Sequence, residues 1–316
     1  MSRNFGLGSR DMVDAARMAL EKEAGFLAGA GLSYASVATH VARWSQFVDF
    51  AKEQNIGRME RISPELVIEF GKVLLERVNS EQLSAAYAQN LVSSINTVMA
   101  AATKGEWKSV NPVRDCQLPE RSSVRATVPG ALDQIRFDRA LTALRGAGSE
   151  RGAIIVELAR ELGLRSKEAS LLDARASLRQ ARETGHMQIT VGTKGGQVRE
   201  LPVTPRQMDV LQRAVVVQGT DRGVMPSDKN WREWREGGLR AIRETVQQHT
   251  SGGLHDLRAA YACQRYREIT GHPAPVETDG KRSVGRDIDH TARLQIAEEL
   301  GHHRADVVAA YIGGRG

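Results

Sequence analysis

The sequence predicts a mainly α-helical protein of two domains, with a small antiparallel β-sheet in the second. Apolar residues recur every three or four positions through most of the chain, which is the period of a helix packed on a core. That period is replaced around residues 186–203 by two short β-type runs separated by a glycine-rich turn. A chain of 316 residues also exceeds the usual size of a single core, so we expect two domains.

The first domain is predicted to be helical over residues 27–112, after an N-terminal tail of residues 1–26. One helix carries a buried stripe at helical spacing, made of Val37, Val41, Trp44, Val48 and Ala51. A second helix begins at Ser63, where a capping serine, a proline and a glutamate follow one another. A third contains Leu91, Ile95, Val98 and Met99 and ends near Gly105.

A basic linker is predicted over residues 113–130, because the surrounding stretch has three prolines, three arginines and no helical period. The second domain, residues 131–316, then begins with two helices, and its β-type runs, 186–191 and 198–203, form a hairpin with Lys194 at or near the tip. Three further helices are predicted over residues 230–246, 252–269 and 292–303. A polar segment at about 271–289 is predicted to be a surface loop or mobile insertion.

The charge of the chain favours a polyanionic partner, with nucleic acid before membrane. The formal net charge is +6, the isoelectric point is near 9.5, and 35 of the 44 basic residues are arginine. Guanidinium groups pair bidentately with phosphate oxygens, which ammonium groups do not. An arginine-rich composition that only reflects the base composition of the genome remains an alternative.

Several classes of protein lack their usual signals in this sequence. Cys116 and Cys263 are too few for a disulfide framework or a thiolate zinc site, which fits a reducing cytoplasm. No run of 18 apolar residues and no apolar signal core occur, so we expect neither export nor a membrane span. The fingerprints of P-loop, dinucleotide-binding and zinc-protease sites are also missing.

Short motifs that could carry chemistry follow one another in the second domain. They are G-L-R-x-x-E with Arg165 and Glu168, Lys194 on the hairpin, L-H-x-L-R with His255 and Arg258, L-G-H with His302, and Tyr311 nine residues later. Each is weak alone. H-x-x-R occurs three times in the chain, Arg165 and Glu168 could be a local ion pair at a helix start, and Tyr311 could be a half-buried core aromatic.

In this order the motifs resemble the catalytic domain of the tyrosine recombinase, or phage integrase, family, over about residues 131–312. Residues 33–54, SYASVATHVARWSQFVDFAKEQ, more loosely resemble the first helix of that family's core-binding domain. The resemblance therefore implies a helical, SAM-like core-binding domain followed by an α+β catalytic domain.

The resemblance also implies the roles of the site residues. Arg165 and Arg258 would bind the scissile phosphate, and Lys194 would protonate the leaving 5′-oxygen. His255 and His302 would donate to the phosphate, with His255 also able to handle the proton of the nucleophile, Tyr311. Glu168 would orient its neighbours. DNA strands would be cleaved and rejoined through a covalent 3′-phosphotyrosine, with no metal, no ATP and no other cofactor.

The implied partner is double-stranded DNA, bound in the cytoplasm at the nucleoid by a homotetramer with a dimer on each site. Accessory DNA-bending or directionality factors are further possible partners. The predicted contacts to the DNA backbone are Arg121, Arg125, Arg232, Arg235, Arg240 and Arg243. For the last four, a solvated helix face is the alternative.

One feature departs from the family. His255 and His302 are 47 residues apart, about 20 more than expected, and the excess lies in the polar segment 271–289. His290 and Arg293 form a rival H-x-x-R, which is too close to His302 to leave room for the intervening helix. Two other functions remain open: a catalytically silent DNA-binding regulator, and an enzyme like a type IB topoisomerase, which nicks and reseals DNA.

Overall fold

A computed structural model of the chain describes residues 3–26 and 32–314. The chain divides into two compact units, Met1–Ser122 and Ser123–Gly316. This division lies within the segment 113–130 that the sequence predicts as a linker. Residue 27, the predicted start of the first domain, lies outside the described residues.

Unit 1 is built from helices. They are α1 (Met12–Phe26), α2 (Tyr34–Glu53), α3 (Pro64–Asn79) and α4 (Ala85–Ala102). Three of them begin after a serine, Ser33, Ser63 or Ser84, whose hydroxyl accepts a hydrogen bond from a backbone N–H of the first turn. The predicted stripe on α2 is buried in the core of this unit.

Both ends of unit 1 pack more tightly than the sequence indicates. The predicted tail of residues 1–26 includes α1, which buries Met12 and Leu20 and whose Met12 carbonyl accepts a hydrogen bond of 2.9 Å from the Trp44 indole. Most of its other buried positions are alanines, a weak hydrophobic signal. At the other end, Cys116 and Leu118 of the predicted linker are buried in the same core.

Unit 2 is mainly helical with one two-stranded sheet. Its elements are α5 (Gln134–Gly146), α6 (Glu150–Glu161), α7 (Ser166–Leu171), α8 (Ala174–Thr184), β1 (His186–Ile189), β2 (Arg199–Pro202), α9 (Pro205–Gln218), α10 (Trp231–Glu236), α11 (Gly238–Thr250), α12 (Leu254–Thr270), α13 (Arg286–Glu299) and α14 (Ala309–Ile312). The predicted fold class, mainly α with a small antiparallel sheet, is confirmed.

The sheet turns one face to the core of unit 2. β1 and β2 pair antiparallel, with Met187 opposite Leu201 and both side chains buried. Lys194 lies in the connection between the strands, next to Gly195, whose positive φ of 72° suits glycine. The predicted hairpin and the place of Lys194 in its turn are therefore present.

Two predicted helices have different bounds in the structure. The helix predicted over 230–246 is broken at Gly237 into α10 and α11, because the backbone there has a non-helical ψ of −97°. The helix predicted from residue 292 begins earlier, at Arg286, so the later part of the polar segment 271–289 is helical. Over the described residues, no helix has the length and apolar character needed to cross a membrane.

Candidate active site

Tyr311 lies on α14 and is almost fully covered, with 5% of its surface exposed. Its hydroxyl is 3.1 Å from Nε2 of His302 and 3.4 Å from Nε of Arg258. The ring of His255 packs edge-on against the phenol, with 5.3 Å between the ring centroids. The last tyrosine of the sequence is therefore in contact with two histidines and an arginine.

Arg258 is held deep in unit 2, with only 1% of its surface exposed. α12 presents it toward Tyr311, and its guanidinium donates to the backbone carbonyls of Gly163 and Leu300. Burial lowers the pKa of Arg258 to about 10, so it still carries its charge at neutral pH. These carbonyls fix the guanidinium plane without neutralising it.

A carboxylate joins Arg165 to this group. Glu168 accepts from both the backbone N–H and the guanidinium of Arg165, at 2.7 and 2.8 Å. The guanidinium of Arg165 also donates to the carbonyl of Leu300, which Arg258 shares. Although burial alone would raise it, hydrogen bonds and charge from Arg199 and Arg165 hold the pKa of Glu168 at about 2.

Both histidines are neutral at physiological pH. Burial, and then the positive charges of Arg258 and Arg165, lower the pKa of His302 to about 4. His255 is exposed at the rim, but its ring is shielded on the side of the site, and this shielding together with Arg258 and Arg125 lowers its pKa as well. A neutral imidazole can accept a proton, which an imidazolium cannot.

A model of a known protein family matches the region of the sequence that builds most of this site. Residues 120–264 match the model described as Integrase, and this span contains Arg165, Lys194, His255 and Arg258. This region of the chain is therefore similar to the integrase family, as the order of its motifs also indicates.

Solved structures of recombinases and integrases share the fold of this chain. A XerH site-specific recombinase bound to a palindromic difH substrate is 13% identical, with a TM-score of 0.58, and the match covers 96% of this chain and 93% of that one. A lambda integrase dimer bound to a COC′ core site is also 13% identical, at 0.56, over 94% and 95%. The Tn1549 transposon integrase with transposon right end DNA is 10% identical, at 0.55, over 94% of each chain. A comparison with curated proteins gives no match.

Lys194 is a predicted site residue that lies outside the contacts around Tyr311. It is exposed in the turn between β1 and β2, and its charge lies near enough to His302 to contribute to the lowered pKa of that ring. The structure therefore brings together Arg165, Glu168, His255, Arg258, His302 and Tyr311, and places Lys194 at their edge.

The arginines predicted to contact DNA fall into two groups. Four of them lie on α10 and α11 and are exposed, and three of these pair with glutamates of their own helix: Arg232 and Arg235 with Glu236, and Arg240 with Glu244. The fourth exposed arginine is Arg243. The other group lies in the predicted linker, where Arg121 donates to the side chain of Asn90 at 2.9 Å.

Arg125 differs from the other predicted DNA contacts because its side chain is engaged within unit 2. Its guanidinium pairs with Asp256 and donates to the carbonyl of Thr127 at 2.7 Å. Its backbone N–H donates to the carbonyl of Ala309 at 2.9 Å. The residue therefore ties the start of unit 2 to α12 and to α14.

The rival motif on α13 lies apart from the site. His290 is exposed, and Arg293 is fully buried in a two-oxygen ion pair with Asp289, at 2.9 and 3.0 Å. His303, next to His302, turns outward and contacts Gln197 at 2.5 Å. In the described parts of the chain, no group of three His, Cys, Asp or Glu side chains has the arrangement of a metal site.

Sequence reasoning missed Arg199. This buried side chain forms a two-pronged ion pair with Glu168, at 2.6 and 2.7 Å, and donates from Nε to the carbonyl of Glu299 at 2.9 Å. The strand pattern holds a usable signal, because residues two apart on a strand share a face and Leu201 points to the core. An arginine at that inward position requires a buried anion.

Proposed function

We propose that the chain is a site-specific DNA recombinase that cleaves and rejoins strands through a covalent 3′-phosphotyrosine at Tyr311. The contact of the Tyr311 hydroxyl with Arg258 and His302 carries this proposal, because it places a nucleophile beside a fixed cation and a proton acceptor. The similarity of residues 120–264 to the integrase family supports it.

The two catalytic arginines would bind the non-bridging oxygens of the scissile phosphate. Arg165, Arg199 and Arg258 surround the single carboxylate of Glu168, so the group keeps a net positive charge. Charges that are already fixed in place stabilise the added negative charge of the transition state without reorganising. Glu168 and Arg199 would hold Arg165 in position rather than touch the phosphate.

His302, rather than His255 as the sequence resemblance implies, would take the proton of the nucleophile, because its Nε2 lies within hydrogen-bonding distance of the phenol. A free phenol has a pKa of about 10, so it needs a base or a cationic field to react at neutral pH. With its own proton on Nδ1, neutral His302 presents Nε2 to the phenol at 3.1 Å. As the bond from the Tyr311 oxygen to phosphorus forms, the proton moves to Nε2, and the resulting imidazolium adds a positive charge beside the phosphate. His255, at the rim, would donate to a phosphate oxygen.

Lys194 would supply the proton for the other half of the step. The bond from phosphorus to the 5′-oxygen breaks, and the ammonium group of Lys194 protonates that oxygen. Its position in an exposed turn supports this role, since the lysine can then approach the leaving group from the DNA side. The phosphotyrosine ester retains the energy of the phosphodiester bond that was broken, so rejoining would need neither ATP nor a metal ion.

The substrate would be double-stranded DNA, gripped along its backbone by the exposed arginines of α10 and α11. The solved relatives include a dimer on a core site, and two such dimers would give a homotetramer that exchanges strands. Accessory factors that bend DNA or set direction would act on this assembly. The protein would work at the nucleoid.

The test begins by finding the DNA site. Denaturing purification of the protein from its own cells, followed by sequencing of the attached DNA, gives the site and the cleavage position together. A duplex of that sequence with a nick beside the cleavage position then loses the leaving fragment and traps the adduct. The wild-type protein should form an SDS-resistant complex, and Tyr311→Phe should form none, while Tyr34→Phe on an exposed residue of unit 1 should react normally.

The outcomes separate this proposal from the alternatives. Adducts from Tyr311→Phe would refute it. Specific DNA binding by the wild-type protein without any adduct would favour the silent regulator. Relaxation of supercoiled DNA that lacks the site would favour an enzyme of the type IB topoisomerase kind.

A further inference from the structure

The helix that carries the nucleophile is too short to hold itself in place. α14 spans only Ala309–Ile312, a single turn. Short helices are marginal in water because few hydrogen bonds offset the ordering of the chain, so their stability comes from contacts with the rest of the fold. What fixes Tyr311 must therefore lie outside α14.

The polar segment 271–289, unexplained by the family resemblance, packs against this helix. Ala274 and Val276 are buried in the same apolar cluster as Tyr311 and Ile312. Pro275 is buried between them, at the start of a short 3₁₀ turn. The first part of the segment is thus a wall behind α14, although later positions such as Lys281 and Arg286 are exposed.

The backbone just beyond Tyr311 is bound by a buried cation. Arg293 donates to the carbonyl of Gly313 at 3.1 Å and to the carbonyl of Gly314 at 2.5 Å. Its remaining contacts are to Asp289 at the end of the polar segment, and that carboxylate also accepts from the hydroxyl of Tyr266 at 3.0 Å. Bonds from a charged donor to backbone carbonyls are among the stronger ones in proteins.

Gly313 allows the chain to approach the wall closely. Its φ of +91° is a conformation that L-residues with side chains avoid. A methyl group there would lie 2.8 Å from the amide nitrogen of Val276, closer than real contacts allow. The backbone of the turn after Tyr311 therefore packs directly against the backbone of the wall, with no room for a side chain between them.

We propose that residues 274–276 together with Asp289 and Arg293 form a dock that holds the turn after Tyr311 and so positions its phenol in the site of its own protomer. The inference rests on the proposed function for its catalytic consequence, but not for the docking itself. Asp289 and Arg293 are positioning residues, because neither contacts the phenol. The polar segment would thus serve to seat the nucleophile.

Docking can be measured without DNA by amide hydrogen exchange. Gly313→Ala removes the close approach, and Gly271→Ala is its matched control, because Gly271 lies in the same polar segment with a φ of +72° and nothing within 4 Å of an added methyl. Exchange over residues 307–314 should rise by about tenfold in Gly313→Ala and stay unchanged in Gly271→Ala, while α6 keeps its protection. Arg293→Met should show the same local rise, and Gly313→Ala stands as the test if Arg293→Met fails to fold. Unchanged exchange over residues 307–314 in Gly313→Ala would overturn the proposal.

The catalytic consequence is tested on the nicked duplex at saturating protein. Misplacing a reacting group by about 1 Å lowers rates by ~100-fold, so Gly313→Ala should form adduct ~100-fold more slowly with unchanged DNA affinity. Replacing the leaving 5′-oxygen by sulfur, which departs without an acid, should rescue Lys194→Ala but not Gly313→Ala. Rescue of Gly313→Ala by sulfur, or a wild-type rate with oxygen, would overturn the positioning role. If wild-type protein forms no adduct at all, the proposed function fails. The exchange experiment still shows whether the dock holds the turn after Tyr311.

Discussion

The motif H-x-x-R occurs on two helices of unit 2, and its arginine has different surroundings on each. On α12 and on α13 an exposed histidine is followed, three residues later, by an arginine that is buried to 1% and 0% exposure. Arg293 is neutralised by a two-oxygen contact with Asp289. Arg258 instead donates to neutral carbonyls and the phenol of Tyr311, and its nearest carboxylate, on Glu168, is 4.0 Å away.

The difference lies in what surrounds the two cations. An arginine whose charge is already paired can fix a piece of backbone but has little to offer an incoming phosphate. One held by dipoles alone keeps its charge for a ligand. We therefore propose that the fold uses the motif on α12 for catalysis and the motif on α13 for positioning. Most of the variants below test the catalytic side of this contrast.

The largest effect should come from changing Arg258. Arg258→Lys keeps a charge but loses the rigid fork that meets Gly163, Leu300 and Tyr311 together. We expect adduct formation on the nicked duplex to fall by about 10²–10³-fold, the usual effect of removing one fixed donor to a transition-state oxygen. Filter binding should show that the duplex is still bound. Adduct formation at the wild-type rate would remove the contrast with Arg293.

A smaller effect is expected at Arg199, which acts through Glu168. Arg199→Gln leaves that carboxylate with Arg165 as its close ion-pair partner, so Arg165 should be drawn away from the phosphate. Adduct formation should fall by between about tenfold and 100-fold, as for other groups that orient a catalytic side chain. The rate of adduct formation distinguishes an indirect role of Arg199 from a direct one. A loss as large as that of Arg258→Lys would mean that Arg199 itself contacts the phosphate.

The protonation of His302 gives a third test. Because its folded pKa is about 4 against an ordinary value of 6.5, the unfolded chain takes up a proton first as the pH falls. The free energy of unfolding should therefore decrease between pH 6.5 and pH 4 and lose this contribution to its slope below pH 4. His302→Gln should flatten that slope in urea titrations, whereas His290→Gln, on an exposed side chain of α13, should leave it unchanged. Equal slopes for wild type and His302→Gln would contradict the account.

The smallest effects belong to the exposed arginines. Arg232→Gln and Arg240→Gln should each weaken DNA binding by a few-fold and lower the salt dependence of the affinity by about 0.9 for each phosphate that is no longer neutralised. The adduct rate at saturating protein should not change, since neither side chain reaches Tyr311. Equilibrium titrations at several salt concentrations measure both quantities, and unchanged slopes would assign these arginines to a solvated helix face.

Much of unit 2 could be predicted from the sequence because the signals were local. The predicted helices and the glycine-rich hairpin are present in the structure. The sequence also contains a signal that distinguishes the two H-x-x-R motifs of unit 2. A carboxylate four residues before an arginine on a helix lies beside that arginine and can pair with it. Asp289 precedes Arg293 in this way, while Leu254 occupies the same position before Arg258.

The rest depended on tertiary contacts that no local pattern encodes. Arg125 looked like a free linker arginine until its partner Asp256, 131 residues away, was known. The polar segment 271–289 looked like a surface loop, because its buried part is short and Val276 approaches Gly313, 37 residues further along the chain.

The central claim is that one phenol, held beside the buried guanidinium of Arg258 and the imidazole of His302, attacks the DNA. Its most direct test is proteolysis of the trapped adduct followed by mass spectrometry of the peptide that carries the nucleotide. The account predicts a single modified residue, Tyr311, joined to a 3′-phosphate, with a free 5′-hydroxyl on the released strand. Attachment at any other residue, or through a 5′-phosphate, would contradict it.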